Sequence, residues 1–383
     1  MFKKIIHQDL SAGFVSLFSG RMIQHAGTSL IGLFLPIYLF IAYGYDIKKV
    51  IYFYLIGHLI YAVLLPWGAQ FLNKIGLRRS LQISIPILAG YYVAIYFIVS
   101  DVLFFSVLAI FAITIGRILF WIPYHTDMAK FAAPNTRGRG IGLMWASKTF
   151  LSVIMPLASG FIIARFGYNL VFVLAIVVYM ASIIPFLTIP HTREKYSWGY
   201  IETFKHFFKK KNRTLILANM ANGAENAVGI IVWPIFIWKL LEGDYAAVGA
   251  LSSLIVVVTI VLQLMVGKYT DILNKRKIIH WGSIFYALGW VGKIFVLTSF
   301  QIFIAGAYHQ FVQIFKDTPF DALNYEIMAD HGHYVDEYTV LKEIAVQLGK
   351  VLILLFILLI ALNLGLNWTF VLAALASLFV NLL

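Results

Sequence analysis

The chain reads as long apolar runs separated by short polar ones. The runs fall at about 12–42, 50–72, 80–100, 102–131, 139–165 and 168–189. After a polar stretch at 190–213 they resume at about 214–240, 246–269, 277–297, 300–328, 339–360 and 361–382. Each run is near or beyond the roughly 20 residues that cross a bilayer as helix. Within a run the apolar residues are continuous rather than alternating, which predicts helices and not barrel strands. The expectation is an all-α membrane protein with twelve transmembrane helices.

Composition sharpens that picture. Of 383 residues, 61% are hydrophobic and only 12% are charged, too little polar surface to cover a water-soluble protein of this size. Soluble enzymes, disordered tails and coiled coils are excluded. There is no cysteine, so disulfides, thiol catalysis and thiolate metal sites are excluded too. The segment Met1 to Leu10 is short and basic and runs into a full-length apolar stretch, which reads as a first span that is not cleaved.

The net charge of +13 matters through its placement. An even number of spans puts both ends on one side. Connections on that side carry 20 Lys and Arg residues, including Lys3, Lys4, Lys74, Arg78, Arg79, Lys130 and Lys277. The opposite side carries 4, namely Lys48, Lys49, Arg165 and Lys239. The positive-inside rule then places both termini in the cytoplasm of a cell (inner) membrane. The basic excess is an orientation signal, and no nucleic-acid partner is expected. At 190–213, Trp198, Ile201, Phe204, Phe207 and Phe208 alternate with Lys205, Lys209, Lys210 and Lys211. That pattern suggests a cytoplasmic amphipathic linker lying on the anionic lipid of the inner leaflet.

The chain repeats itself at an offset of 198 residues. Pro36 matches Pro234, Asp46 matches Asp244, Asn73 matches Asp271, Arg78 matches Arg276 and Arg79 matches Lys277. Several matches at one offset, each at the same point of the span pattern, predict two pseudo-symmetric six-helix bundles, 1–189 and 214–383, joined by the linker 190–213.

The connections after spans two and eight carry a further signal. The first reads Ala69-Gln-Phe-Leu-Asn73-Lys74-Ile-Gly76-Leu-Arg78-Arg79, and the second Gly267-Lys-Tyr-Thr-Asp271-Ile-Leu-Asn274-Lys275-Arg276-Lys277. Both resemble the loop motif G-x-L-a-D-r-x-G-r-k of the major facilitator superfamily. Arg137-Gly-Arg139-Gly-Ile-Gly142 looks like the same superfamily, and Pro156-Leu-Ala-Ser-Gly160 is similar to its antiporter motif. The first copy has Asn73 where the family has Asp, and the second has Asn274 for Gly. Membership implies a secondary transporter that works by alternating access, with substrate between the halves and spans one, four, seven and ten lining the cavity. It also implies gating by Asn73, Arg78, Arg79, Arg137, Arg139, Asp271 and Arg276, where a Gly allows a tight turn and charged groups cap and pair helix ends. Asn73 lacks the charge for the ionic form of that latch.

Charges within spans are the main functional evidence, because each costs roughly 2.5–3.5 kcal/mol near mid-bilayer and turns to a cavity or partner. Span one carries Arg21, Gln24, His25 and Thr28 on one helical face. Arg117 and Tyr124 lie on span four, Lys148 on span five, and Asn219, Asn222, Glu225 and Asn226 on span seven. Span ten carries His309, Gln313, Lys316, Asp317, Asp321 and Asn324; span eleven carries Glu343, Gln347 and Lys350. Buried cations without an obvious acid dominate the first half, and acids cluster in the second. Expected substrate-binding residues are Arg21, Gln24, His25, Arg117, Tyr124, Lys148, Asn222, Gln313, Lys316 and Lys350, with Arg as a bidentate fork and Lys as a point charge for an anion. Glu225, Asp317 and Glu343 are the expected proton carriers. A static ion pair of Glu225 with Lys350 or another buried cation is the competing reading. Lys293, on a span the resemblance makes peripheral, is expected to snorkel or pair.

Asp330, His331, His333, Asp336 and Glu337 cluster after span ten, but their spacing fits no metal motif, and neither metal nor cofactor is expected. The leading function is transport of a small organic solute, anionic or polar, by a monomer, with protons as a coupling partner. Efflux of amphiphilic drugs or lysolipids is the alternative transport reading. A non-transporting sensor or structural protein is the alternative of another class. An enzyme is not expected, since no Ser/His/Asp set, HExxH or thiol is present.

Overall fold

The computed structural model describes residues 11–131, 137–192, 196–270, 275–329 and 335–383. These residues are overwhelmingly helical, and no strand occurs among them. In the first half, α1 (Ala12–Gly32) and α2 (Leu35–Ala42) form one span bent by 41°. They are followed by α3 (Ile47–Ile75), α4 (Leu77–Tyr96), α5 (Val102–Phe131), α6 (Arg137–Phe166), α7 (Tyr168–Ala181) and the short α8 (Ile183–Leu187). A linker helix, α9 (Tyr200–Phe207), leads to α10 (Arg213–Ala227), a π-turn at Val228–Val232, α11 (Trp233–Leu240), α12 (Tyr245–Thr270), α13 (Lys275–Lys293), α14 (Ser299–Ala329), α15 (Val335–Phe356), α16 (Leu362–Leu364) and α17 (Trp368–Phe379).

Among the described residues, eight helices are long and apolar enough to cross a membrane, or nine when α1 and α2 count as one. Three other runs of the sequence pattern are helical but more polar or shorter. α13 holds Lys275, Arg276, Lys277 and Lys293, α14 holds the polar stripe, and α17 is short. The burial pattern is that of a chain surrounded by lipid. Leu103 is 77% exposed and Phe300 69%, while Lys316 is fully enclosed. Ionic groups face inward and large apolar groups face outward, the reverse of a water-soluble protein.

The repeat in the sequence is a repeat in the backbone. Pro36 starts α2 and Pro234 starts α11, each just after an irregular turn. Proline has no N–H to give and crowds the preceding turn, so the span bends or widens there. Both spans then end in two successive left-handed residues, Gly44 and Tyr45 in one half, Glu242 and Gly243 in the other. Asp46 next caps α3 through the Lys48 N–H at 2.9 Å, and Asp244 caps α12 through the Ala247 N–H at 3.0 Å.

The two sets of helices meet along α3 with α15 and along α6 with α12. At the second crossing Gly160 lies against Gly249. A side chain on either would strike backbone, the Tyr245 carbonyl oxygen from Gly160 and the Pro156 carbonyl oxygen from Gly249. Aromatic rings of both halves close the same end. Phe34 and Tyr168 pack edge-on against Tyr245, and Tyr45 stacks on Trp238 at 6.4 Å.

The linker is held by protein. Of its apolar residues, Trp198 and Phe207 are buried in a cluster with α3 and α15, while Ile201 and Phe208 stay exposed.

Candidate functional site

The polar residues within the spans form three groups. The first lies in the second half. Asn222 and Glu225 share a face of α10, Gln313, Lys316 and Asp317 share a face of α14, and Tyr286 of α13 completes the set. The Lys316 ammonium is 2.7 Å from Glu225 Oε1, 2.7 Å from Asp317 Oδ1 and 3.0 Å from Asn222 Oδ1. The Tyr286 hydroxyl donates to Glu225 Oε2 at 2.8 Å, and Gln313 donates to Asp317 Oδ2 at 2.8 Å. Both Glu225 oxygens are therefore occupied. Its cation is Lys316, not Lys350. Lys316 and Gln313, expected to meet solute, are held by acids of the chain itself, and Asn222 accepts from Lys316.

Tyr286 was not among the residues expected at the site, and Lys293, expected to snorkel or pair, pairs with His309. A signal was available: Ile279, Ser283, Tyr286, Trp290 and Lys293 recur at helical spacing along one buried face of α13. Lys293 does not snorkel. It is 2% exposed and its nearest polar partner is His309.

The second group is in the first half. Arg21 Nη1 donates to Gln24 Oε1 at 2.6 Å, and Gln24 Nε2 donates to the Tyr179 hydroxyl at 2.6 Å. The guanidinium lies over the rings of Trp121 at 5.0 Å, Phe120 at 5.7 Å and Tyr124 at 5.9 Å, an aromatic box suited to a delocalised cation. Its Nε is buried without a partner. His25 and Lys148 lie within each other's field and that of Arg21, and Asp321 of α14 reaches Lys148 from the opposite half. The structure thus brings Arg21, His25, Tyr124 and Lys148 together, while Gln24 turns to Tyr179.

The third group sits between the halves. Arg117 of α5 lies within the electrostatic reach of Tyr54 and Tyr61 of α3, Tyr91 and Tyr92 of α4, and Lys350 of α15. Lys350 also feels Glu343 and Glu225. Yet among the described residues neither Arg117 nor Lys350 makes a hydrogen bond or an ion pair within 4 Å. The buried hydroxyls of Tyr61 and Thr114 are likewise without partners. Beside them His58 Nδ1 lies 2.7 Å from Gln347 Oε1, a direct link from α3 to α15. The arrangement is two cations, one from each half, within each other's field and near the same phenols.

The expected gating residues are differently placed. Gly76 has φ +84°, the tight turn the motif requires. Asn73 holds the linker, its Nδ2 donating to the Tyr196 carbonyl at 2.8 Å and its Oδ1 accepting the Tyr196 N–H at 2.9 Å. Arg78 donates to the Leu187 carbonyl at 2.5 Å. Arg79 and Arg276 are exposed, and Asp271 and the Arg137 and Arg139 side chains lie outside the described residues. Glu337 accepts from the Ser197 N–H at 2.8 Å and hydroxyl at 2.6 Å, and Asp336 accepts from Thr126 at 2.5 Å. These two acids thus join α15 to the linker and to α5. Asp330, His331 and His333 lie outside the described residues, among which no metal-binding group of three acids or histidines gathers.

No protein-family model matches the chain. It is 22% identical over 388 aligned residues to an uncharacterized protein YqgE of Bacillus subtilis (strain 168), covering 94% of this chain and 86% of that one. Among solved structures it is similar to a POT family transporter in complex with 5-aminolevulinic acid, with a TM-score of 0.72 and 12% identity over 97% of this chain and 94% of that one. A D-xylose-proton symporter matches with a TM-score of 0.66 and 15% identity over 96% of each chain. A structure on substrate recognition in proton dependent oligopeptide transporters matches with a TM-score of 0.68 and 12% identity over 96% of each. The chain has the major facilitator fold.

Proposed function

We propose that this protein is a secondary transporter of the major facilitator type that carries a small organic solute bearing a carboxylate or similar anion. Twelve spans form two bundles, 1–189 and 214–383, with both termini in the cytoplasm. The carrier works by alternating access as a monomer in the cell membrane, and proton coupling runs through Glu225. The observation that carries this reading is that Arg117 and Lys350, two cations from opposite halves, lie within each other's field with no acid in contact among the described residues.

Two like charges held close in a low-dielectric site repel, and an anion between them offsets that repulsion. Because one cation belongs to each half, the bound anion draws the halves together, which is the differential contact alternating access requires. Arg117 supplies a planar fork and Lys350 a point charge, a pairing suited to carboxylate. The similar POT family structure with 5-aminolevulinic acid, a carboxylate-bearing molecule, supports the same solute chemistry. Glu225 fits proton coupling because a proton on Oε1 removes the charge from its bond to Lys316 and leaves that ammonium on Asp317. The exposed groove lined by Phe295, Phe300, Ile304 and Tyr308 lies within one half, between α13 and α14, and does not favour an amphiphile path between the halves.

The test is purified protein, screened by thermal shift against small carboxylates, amino acids, peptides and sugars, then assayed in proteoliposomes with and without a proton gradient. A carboxylate that stabilises the wild type should lose at least tenfold in apparent affinity in Arg117→Gln and in Lys350→Gln. Uptake by Glu225→Gln should no longer respond to the gradient. A neutral solute carried equally well by all three variants would overturn the assignment.

A further inference from the structure

Lys316 and Lys293 are both buried lysines of the second half, and they are held in opposite ways. Lys316 touches two carboxylates and is a fixed charge. Lys293, 2% exposed, touches none among the described residues. Its ammonium nitrogen lies 2.9 Å from His309 Nδ1, 4.0 Å from the centre of the Trp290 ring and 4.2 Å from that of Trp233. An N···N hydrogen bond needs one N–H and one lone pair. A charged Lys293 donates to a neutral His309, or a neutral Lys293 accepts from His309 Nδ1–H, and the same contact serves both states. The indole faces favour the cation; burial away from any carboxylate favours the neutral amine.

We propose that Lys293 and His309 form a second proton-binding site in the second half, distinct from Glu225 and Lys316 and electrostatically coupled to them. Binding forms one N–H bond at the Lys293 nitrogen, adds one positive charge and breaks no other bond. The groups facing this site come from every neighbouring helix. Glu225 of α10 is the acid whose field reaches Lys293, and the Lys316 charge of α14 reaches His309. Tyr286 of α13 stacks on the imidazole at 4.1 Å while its hydroxyl holds Glu225. From α17 comes Phe370, stacked on Trp290, and that helix has no titratable side chain. His309 Nε2 is buried and unpartnered, so the proton stays on this pair and is not passed on through the far side of the ring. A negative Glu225 favours the proton on Lys293. A neutral Glu225 disfavours it, so the two sites resist filling together.

The proposal does not depend on what solute is carried, and its test needs none. Lys293 lies on two indoles, and an ammonium beside an indole alters its emission. Tryptophan emission of the detergent-purified protein is followed from pH 5 to 10, with Trp233→Phe and Trp290→Phe assigning the signal among the nine tryptophans. The expected result is a single titration carried by Trp233 and Trp290, absent in Lys293→Met. In Glu225→Gln it should move to lower pH by about one unit. His309→Gln, which removes the imidazole lone pair, should move it as well and covers the case in which Lys293→Met does not fold. Emission from these two indoles that is flat with pH in the wild type, a titration that survives Lys293→Met, or a midpoint unmoved by Glu225→Gln would each overturn the proposal.

Discussion

Glu225 and Lys316 stand 2.7 Å apart with neither open to solvent, and each oxygen of the carboxylate has its own donor. Such a pair is far easier to replace whole than to halve. Removing one partner leaves a buried charge without its counter-charge, which costs about 3–5 kcal/mol, whereas exchanging both for apolar residues of similar size is often near neutral. Lys316→Met and Glu225→Leu should each lower the unfolding temperature in detergent markedly, and the double variant should recover much of the loss. Asp317 tempers the recovery, since it also rests on Lys316. Additive losses in the double variant would contradict the pairing.

Arg117 and Lys350 call for the opposite behaviour. They repel across the boundary between the halves, so deleting either charge should stabilise the empty protein. The gain has the sign of a like-charge pair relieved of its repulsion. Arg117→Gln and Lys350→Gln should therefore melt at or above the wild-type temperature while losing stabilisation by carboxylates. A variant that melts lower and still binds would show that Arg117 serves packing.

These two pairs mark what the sequence could and could not supply. Run lengths, the offset of 198 and the paired Pro36 and Pro234 are one-dimensional signals, and the helices follow them closely; the run at 102–131 is the helix Val102–Phe131. The depth of Glu225 was readable by counting along its run. Its partner was not, because Lys293, Lys316 and Lys350 all lie on runs of the same half and the choice among them is set by helix rotation and packing. For Lys293 the sequence left snorkelling and pairing open, and the buried face of its helix decides for pairing, with His309. The linker pattern leaves a different question open. Lipid and protein interior are both apolar, so the pattern of Trp198, Ile201, Phe207 and Phe208 does not say which residues face which.

Asn73 departs from the family motif, and its geometry explains why. It uses its amide as donor and its oxygen as acceptor against the same residue, Tyr196. Asn73→Asp restores the motif residue but sets a carboxylate oxygen against the Tyr196 carbonyl. The linker should lose about 0.5–1.5 kcal/mol of attachment, the worth of one hydrogen bond. Limited proteolysis within 190–213 should speed up by roughly two- to tenfold, following the open population. Unchanged cleavage would remove Asn73 from this role.

The same strap should loosen in acid. His206 stacks on Trp198 at 3.9 Å. Burial there, and the Lys209 ammonium beside it, hold the imidazole below its ordinary value of 6.5, against a smaller opposing pull from Glu202. A folded-state value below the unfolded one means the attachment is intact above pH 6.5 and weakens as pH falls from there towards the depressed value. Cleavage within 190–213 should therefore rise between pH 7.5 and pH 5.5 in the wild type. In His206→Phe, which keeps a ring on Trp198 without a charge, it should stay flat. An equal rise in both would place the acid response elsewhere.

The crossing of α6 and α12 gives a direct handle on which end of the molecule opens. Gly160 and Gly249 let two helices from opposite halves touch backbone to backbone, and the rings of Phe34, Tyr45, Tyr168, Trp238 and Tyr245 gather at the same end. A side chain at Gly249 meets the Pro156 carbonyl oxygen, part of the backbone, so nothing flexible can move aside and the helices must separate. Gly249→Val should shift the population towards a form open at this end. The chain has no cysteine, so one can be introduced on a silent background. Phe40 is 1% exposed at that end and packs on Trp238 across the halves. In Phe40→Cys a membrane-impermeant maleimide added from outside should react slowly, and adding Gly249→Val should speed the reaction by at least tenfold. If Gly249→Val instead leaves labelling slow while the protein stays folded, the contact is not a gate. The proposed twelve-span topology adds a further condition, that the fast reaction requires reagent on the outer face, since that proposal puts Phe40 at the end opposite the basic connections.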